Sequence, residues 1–165
     1  MVSLVWTLLR NCFDEERVPD QWLEGIIFPL YKQGDKRDPY NYRGISLLSV
    51  VSKIYEIVLY RRLDDWCEKL GIIREEQGGF RVGRGCIDQI FILDYLLRNR
   101  GQKRTYCCFI DIKKAYDTVW RKGLWKCLWD KGIRGKMWRV LKDLYRATRC
   151  KIRVGKGLTE EFSVE

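Results

Sequence analysis

The strongest constraint in the sequence is a periodic apolar stripe. Between Ser49 and Leu70, the residues Val51, Ile54, Tyr55, Val58, Leu59, Leu63, Trp66 and Leu70 step by three and four. That period predicts an amphipathic helix, and Gly71 is its stop signal. Composition supports a packed chain around it. Of 165 residues, 46% are hydrophobic and seven are Trp, which argues against wholesale disorder. The length suits one domain of ordinary size.

Other elements alternate in type. Residues 3–17 read as a helix with Leu4, Leu8, Leu9 and Cys12 on one face, broken at Val18-Pro19-Asp20. Gly25 to Tyr31 reads as a strand, with Pro29 indicating an edge or bulge. Lys32 to Pro39 is a charged turn at an exposed loop tip. A helix is expected from Cys86 to Arg100, ended by Gly101. Thr105 to Ile112 is a nearly continuous apolar run that predicts a buried strand. Adjacent Cys107 and Cys108 within it read as small buried hydrophobes. Helices follow over 122–131 and 136–146, the second with a stripe of Met137, Trp138, Leu141, Leu144 and Tyr145. Lys151 to Val154 and Phe162 to Val164 read as strands. The expected fold class is α+β.

Charge and missing residue types narrow the chemistry. The chain has 32 Lys+Arg, 22 Asp+Glu and no His, a net charge of +10. The charge favours a polyanionic partner, nucleic acid first. Without histidine, Ser-His-Asp and Cys-His catalysis and His-containing zinc sites are excluded. The seven cysteines show no Cys-x-x-Cys spacing, and a reduced, intracellular setting (nucleus or cytoplasm) accounts for them most simply. Met1 to Leu9 lacks the basic lead-in and cleavage site of a signal peptide, and no apolar stretch is long enough to span a bilayer, so no membrane partner is expected.

Three segments hold candidate chemistry. Phe109-Ile110-Asp111-Ile112-Lys113-Lys114-Ala115-Tyr116-Asp117 delivers Asp111 from the end of an apolar run. Its carboxylate suits a Mg²⁺ ion, or a cap on a following helix. Asp117 is the weaker ligand candidate, equally explained by a cap or a salt bridge. Lys32 and Arg43 combine a point charge with a forked donor, as a triphosphate requires, or are two solvated cations. Gln77-Gly78-Gly79-Phe80-Arg81-Val82-Gly83-Arg84-Gly85 pairs backbone access with phosphate-attracting Arg81 and Arg84, or is a flexible loop. It matches neither a Walker loop nor a dinucleotide fingerprint. Asp64 and Asp65 lie within the long helical stripe and read as exposed helix charges.

Together these segments resemble the reverse transcriptases of LINE-like, non-LTR retrotransposons, over about Val18 to Val164. The resemblance rests on Val18-Pro19-Asp20-Gln21-Trp22, Lys32-Gln33-Gly34-Asp35, Asn41-Tyr42-Arg43-Gly44-Ile45-Ser46-Leu47-Leu48, Glu76-Gln77-Gly78-Gly79-Phe80-Arg81 and Asp111-Ile112-Lys113-Lys114-Ala115-Tyr116-Asp117, in the family's order. Gly44 stands where many relatives have Pro, and Tyr116 where many have Phe.

The resemblance implies right-hand polymerase architecture: a fingers-like region with an N-terminal helix over 1–103 and a partial palm over 104–165. It implies an activity, RNA-directed DNA synthesis on a primer 3′ end, with an RNA template, DNA primer, deoxynucleoside triphosphates and Mg²⁺. Asp111 is then the palm carboxylate on both metals, and Ile112 lends its main-chain carbonyl. Tyr116 is the aromatic gate beneath the incoming sugar. Lys32 and Arg43 hold the triphosphate, and Gln77, Gly79, Phe80, Arg81 and Arg84 lie near the template. The family's Gly-x-x-Gln-Gly and Tyr-x-Asp-Asp segments are not among these 165 residues. The expectation is therefore an incomplete, inactive portion needing a C-terminal palm and thumb partner. The alternatives are a non-catalytic RNA- or DNA-binding relic and a fragment that does not fold stably.

Overall fold

The computed structural model describes residues 2–164. Met1 and Glu165, the outer bounds of the two regions expected from sequence, lie outside the described residues. The helices are α1 (Val2–Asp14), α2 (Val50–Lys69), α3 (Cys86–Asn99), α4 (Arg121–Asp130) and α5 (Gly135–Asp143). The strands are β1 (Glu24–Tyr31), β2 (Tyr42–Leu47), β3 (Arg149–Val154), β4 (Gly157–Leu158) and β5 (Phe162–Ser163). This is an α+β fold. Two compact units divide it: residues up to Arg62 with those from Arg121 onward, and Leu63–Trp120. No helix among the described residues is long and apolar enough to cross a membrane.

The first unit is built on a small sheet in the order β2-β1-β3-β4, with β5 also paired to β3. β1 runs parallel to β3 from Glu24↔Arg149 to Ile27↔Ile152 and antiparallel to β2 from Ile26↔Leu47 to Tyr31↔Tyr42. Beyond Ile27, β1 has lost its β3 neighbour. Pro29 falls in that one-sided stretch, where a missing N–H costs no ladder bond on the open side.

The core joins α1, a 3₁₀ turn at Asp20–Leu23, α2 and α5 through Leu9, Cys12, Val18, Trp22, Leu23, Tyr55, Leu59 and Val140. The Trp22 and Tyr55 rings tilt against one another with centroids 5.4 Å apart. Burial pushes the Cys12 and Cys150 thiols above the usual thiol range, leaving them poor nucleophiles. All seven cysteines are free thiols.

The spans of the five helices and of β1, β3 and β5 follow the sequence expectation closely, whereas β2 and β4 were not expected, and helix faces shift. On α1, Leu4 and Leu8 are exposed, and the inward side carries Val5, Leu9, Cys12 and Phe13. The expected face is thus right at Leu9 and Cys12 and wrong at Leu4 and Leu8, because two overlapping i, i+4 rows lie about 100° apart on a helix. On α5 the expected stripe omitted Val140, which is fully enclosed. On α2 the first half of the stripe is buried at Tyr55 and Leu59, whereas Leu70 is exposed.

Carboxylate–cation pairs tie the N-terminal segment to α5 and to Arg146 just beyond it. Asp14 meets Lys136 at 3.1 Å, Glu16 pairs with Arg139, and Asp20 with Arg146. The Asp143 carboxylate accepts from the Val18 N–H at 2.8 Å and also pairs with Arg146. Hydrogen bonds from Lys136, Arg139 and Arg146 hold Asp14, Glu16 and Asp20 below their ordinary values of 3.8, 4.5 and 3.8. A lowered carboxylate pKa stabilises the folded state above the unfolded value, and that stability is lost as pH falls through the lower folded value. Thermal midpoints should therefore change little with these groups above pH about 4.5 and fall below it. Thermal scans over a pH series check this.

The second unit has no buried residue. α2 ends as expected: Gly71 takes a left-handed φ of +61°, its N–H donates to the Glu68 carbonyl, and the Ile72 N–H donates to the Cys67 carbonyl. This paired closure of the last carbonyls favours glycine, which pays no Cβ penalty there. α3 exposes Ile87, Ile90, Phe91, Tyr95 and Leu96.

Thr105 to Ile112 departs from expectation. It forms no strand, and Tyr106, Phe109 and Ile110 are 83–89% exposed. Cys107 and Cys108 are exposed as well, correcting their assignment as buried hydrophobes. An apolar run becomes a buried strand only when neighbours pair its backbone and cover both faces. Among the described residues, none pairs with it.

Candidate functional site

Lys32 and Arg43 sit at the tip of the β1–β2 hairpin. The ladder pairs Leu30 with Arg43 and Tyr31 with Tyr42, and the Lys32 N–H donates to the Asn41 carbonyl at 2.9 Å. Side chains alternate across a strand, so Lys32 and Arg43 share one face as diagonal neighbours. Tyr31 and Tyr42 occupy the other, ring to ring at 5.6 Å. The turn beyond is internally tied. The Tyr31 hydroxyl donates to the Gly34 carbonyl at 2.6 Å, Tyr42 donates to Lys36 O at 2.9 Å, and the Asn41 amide donates to Asp35 O at 2.9 Å. The two cations are exposed and engage no carboxylate among the described residues. The structure brings this pair together on a braced support.

Asp111, Ile112 and Tyr116 lie in an exposed stretch of turns. Ile112 is 69% exposed and Tyr116 78%. No helix starts after Asp111 until Arg121, so the capping alternative for Asp111 fails. Instead the Asp117 and Thr118 N–H groups both donate to the Lys114 carbonyl, at 3.0 and 3.1 Å, with Lys114 at a left-handed φ of 53°. Neither Asp111 nor Asp117 forms an ion pair among the described residues, so the cap and salt-bridge accounts of Asp117 fail with it.

A divalent metal would find few donors here. Among the described residues no three His, Cys, Asp or Glu side chains cluster as a metal site. The segment offers two unpaired carboxylates, Asp111 and Asp117, and the Ile112 carbonyl adjoining Asp111. Mg²⁺ is held by one or two carboxylates plus water and substrate phosphate oxygens, so this donor set fits part of such a shell. Asp64 and Asp65 lie on α2; Asp65 is exposed as expected, whereas Asp64 is half-buried.

The glycine-rich segment is held rather than free. The Arg81 side chain is only 6% exposed, although the residue stands in a surface loop. Its guanidinium meets Glu68 at 2.8 Å and Glu75 at 3.3 Å, and donates to the Arg74 carbonyl at 3.1 Å. Arg84 pairs with Glu75. These hydrogen bonds raise the Arg81 pKa further and hold Glu68 and Glu75 below the usual carboxylate range. Glu68 and Glu75 escaped the sequence reading. Their signal was two acids flanking the Gly71 stop, followed by two arginines in a loop of matching length. Gln77 and Gly79 are exposed, and Phe80 is 80% exposed at a left-handed φ of 62°. A bulky residue held there stores strain of about 1–3 kcal/mol. Gly78 allows a close approach: a Cβ there would meet the Gln89 amide nitrogen of α3 at 2.2 Å.

Residues 32–164 match the family model for reverse transcriptase (RNA-dependent DNA polymerase). The chain belongs to the reverse transcriptase family. Its relatives are polymerases of LINE-like, non-LTR elements. It is 32% identical over 149 residues to the probable RNA-directed DNA polymerase from transposon X-element of Drosophila melanogaster, covering 88% of this chain and 16% of that protein. It is 36% identical over 109 residues to the probable RNA-directed DNA polymerase from transposon BS of the same organism, 64% of this chain and 12% of the relative. The Pol polyprotein from the type-1 element R2 of Popillia japonica is 26% identical over 141 residues, 85% of this chain and 19% of the relative. The chain thus spans less than a fifth of the length of these relatives.

Proposed function

We propose that the chain supplies the fingers and the first metal-binding carboxylate of an RNA-directed DNA polymerase. The observation that carries this is Asp111, a carboxylate with no ion pair among the described residues, beside the Ile112 carbonyl and inside the stretch that matches the reverse transcriptase family. No cap or cation among the described residues occupies this carboxylate, which leaves it available to a metal ion.

In this account Asp111 and the Ile112 carbonyl hold Mg²⁺, which supplies activation of the primer 3′-oxygen and charge neutralisation at the departing pyrophosphate. Lys32 and Arg43 bind the triphosphate from one face of their hairpin. Tyr116 stacks under the sugar of the incoming deoxynucleotide. Gln77, Gly79 and Phe80 line the template, and Arg81 and Arg84 support that segment through Glu68 and Glu75. The fingers-like and palm assignments to 1–103 and 104–165 belong to this proposal. The exposed run Thr105 to Ile112 is then a palm strand whose partners come from the remaining palm. The nucleus or cytoplasm is its proposed location.

The triphosphate assignment is tested in a fusion of this chain to the remaining palm and thumb of the X-element relative. Removing two charge-assisted contacts by Lys32→Ala with Arg43→Ala should raise KM for deoxynucleotides about 10- to 100-fold. Steady-state primer extension over a nucleotide series measures it. An unchanged KM removes both residues from the site.

A further inference from the structure

We propose that the seam between α4 and α5 is a binding surface for single-stranded nucleic acid, separate from the residues assigned to nucleotide, metal and template. From Arg121 to Arg146 the chain carries nine Lys/Arg and two Asp, a net +7, whereas the other 139 residues carry +3. The stretch that builds the two helices, their connection and the residues just after them thus carries most of the chain's net positive charge, partly offset by Asp14, Glu16 and Asp20.

Aromatic rings run along the same seam. Trp129 meets Trp138 edge to face at 5.5 Å, and Trp125 meets Tyr145 at 5.5 Å. The Trp138 indole N–H donates to the Trp125 carbonyl at 3.1 Å and fixes the register between the helices. Cations stand over these rings: Arg134 over Trp129 at 5.1 Å, Lys142 over Trp138 at 4.8 Å, and Arg121 over Tyr145 at 5.4 Å. Trp129 and Tyr145 remain 44% and 47% exposed.

Four of the nine cations are neutralised: Lys126 by Asp130, Lys136 by Asp14, Arg139 by Glu16, and Arg146 by Asp143 and Asp20. Arg121, Lys122, Lys131, Arg134 and Lys142 engage no carboxylate among the described residues. An ordinary solvated face spreads its charges into water. Here three of the unpaired cations are held over rings at fixed positions, so less ordering is needed when an anion arrives. Unpaired bases stack on aromatic rings and on arginine planes, and their phosphates take the lysines. Duplex bases are already stacked and would gain only the charge term, which favours single strands.

The inference does not rest on polymerase chemistry, and its test needs none. The probe is a fluorescent 20-nucleotide mixed-sequence RNA, titrated with the 165-residue protein by anisotropy over a salt series. The triple variant Lys131→Glu, Arg134→Glu, Lys142→Glu should weaken binding about tenfold or more and flatten the log–log salt slope by about 2, at about 0.7 per phosphate. The charge-matched triple Lys53→Glu, Lys69→Glu, Lys156→Glu should weaken it far less. Trp129→Ala should cost about tenfold and Trp129→Tyr should restore most of that loss. The proposal is overturned if the two triples lose affinity equally, if Trp129→Ala binds as the parent does, or if a duplex of the same sequence or anionic vesicles bind as tightly as the single strand.

Discussion

Asp111→Asn in the fused polymerase should abolish primer extension to the extent of about a thousandfold in kcat. Asparagine keeps the shape and one acceptor oxygen but removes the charge that draws the cation. Losing a metal's stabilisation of the transition state costs several kcal/mol, and about 4 kcal/mol is three decades in rate. Asp117→Asn, six residues on in the same exposed turn, should leave activity within a few-fold, because nothing assigns it to the metal. The contrast separates a ligand from a general effect of negative charge on the segment. Stability should change little in either case, since neither carboxylate engages a cation or a cap among the described residues. A fusion in which both substitutions act alike contradicts the assignment of Asp111.

The second large effect lies in the core. Leu59→Ala should destabilise the chain by about 2–5 kcal/mol, because Leu59 is 2% exposed and its methyl groups would leave a cavity among Leu9, Tyr55 and Val140. Leu96→Ala on α3 should cost about 0.5 kcal/mol or less, since that side chain is 59% exposed. Denaturant unfolding of both variants checks the pair. A Leu96→Ala cost equal to that of Leu59→Ala would mean that α3 is covered in solution.

Local structure was legible in the sequence wherever a period or a stop residue carried it. The α2 stripe and Gly71 placed the long helix correctly, because helix pitch and the left-handed glycine closure are local physics. The alternation at Lys151 to Val154 placed β3 for the same reason. Orientation was less legible. Leu4–Leu8 and Val5–Leu9 satisfy the same spacing, and only packing against Tyr55 and Leu59 selects the second. Burial of Thr105 to Ile112 was not legible at all, since a strand's burial is a property of its neighbours.

The candidate site shows the same division. Lys32 and Arg43 were readable as a pair, and hairpin register explains why they share a face. Arg81 was readable as a cation but not as a clamped one. Its partner Glu68 is thirteen residues away on α2, and no local pattern reveals an ion pair across a loop. Its charge is therefore committed to loop architecture, which shifts the expected template-facing electrostatics from Arg81 toward groups that hold no carboxylate. Asp111 was readable as a carboxylate at the end of an apolar run, and the structure removes the capping alternative, since no helix starts until Arg121.

The central claim is that these 165 residues hold one part of a polymerase active site and become catalytic only with the rest of the palm. Mg²⁺-dependent primer extension on an RNA template, run side by side on the purified chain and on its fusion to the X-element palm and thumb, tests it most directly. The account predicts no incorporation by the chain alone and extension by the fusion that requires Asp111. Clear incorporation by the 165-residue chain, or fusion activity indifferent to Asp111→Asn, would contradict it.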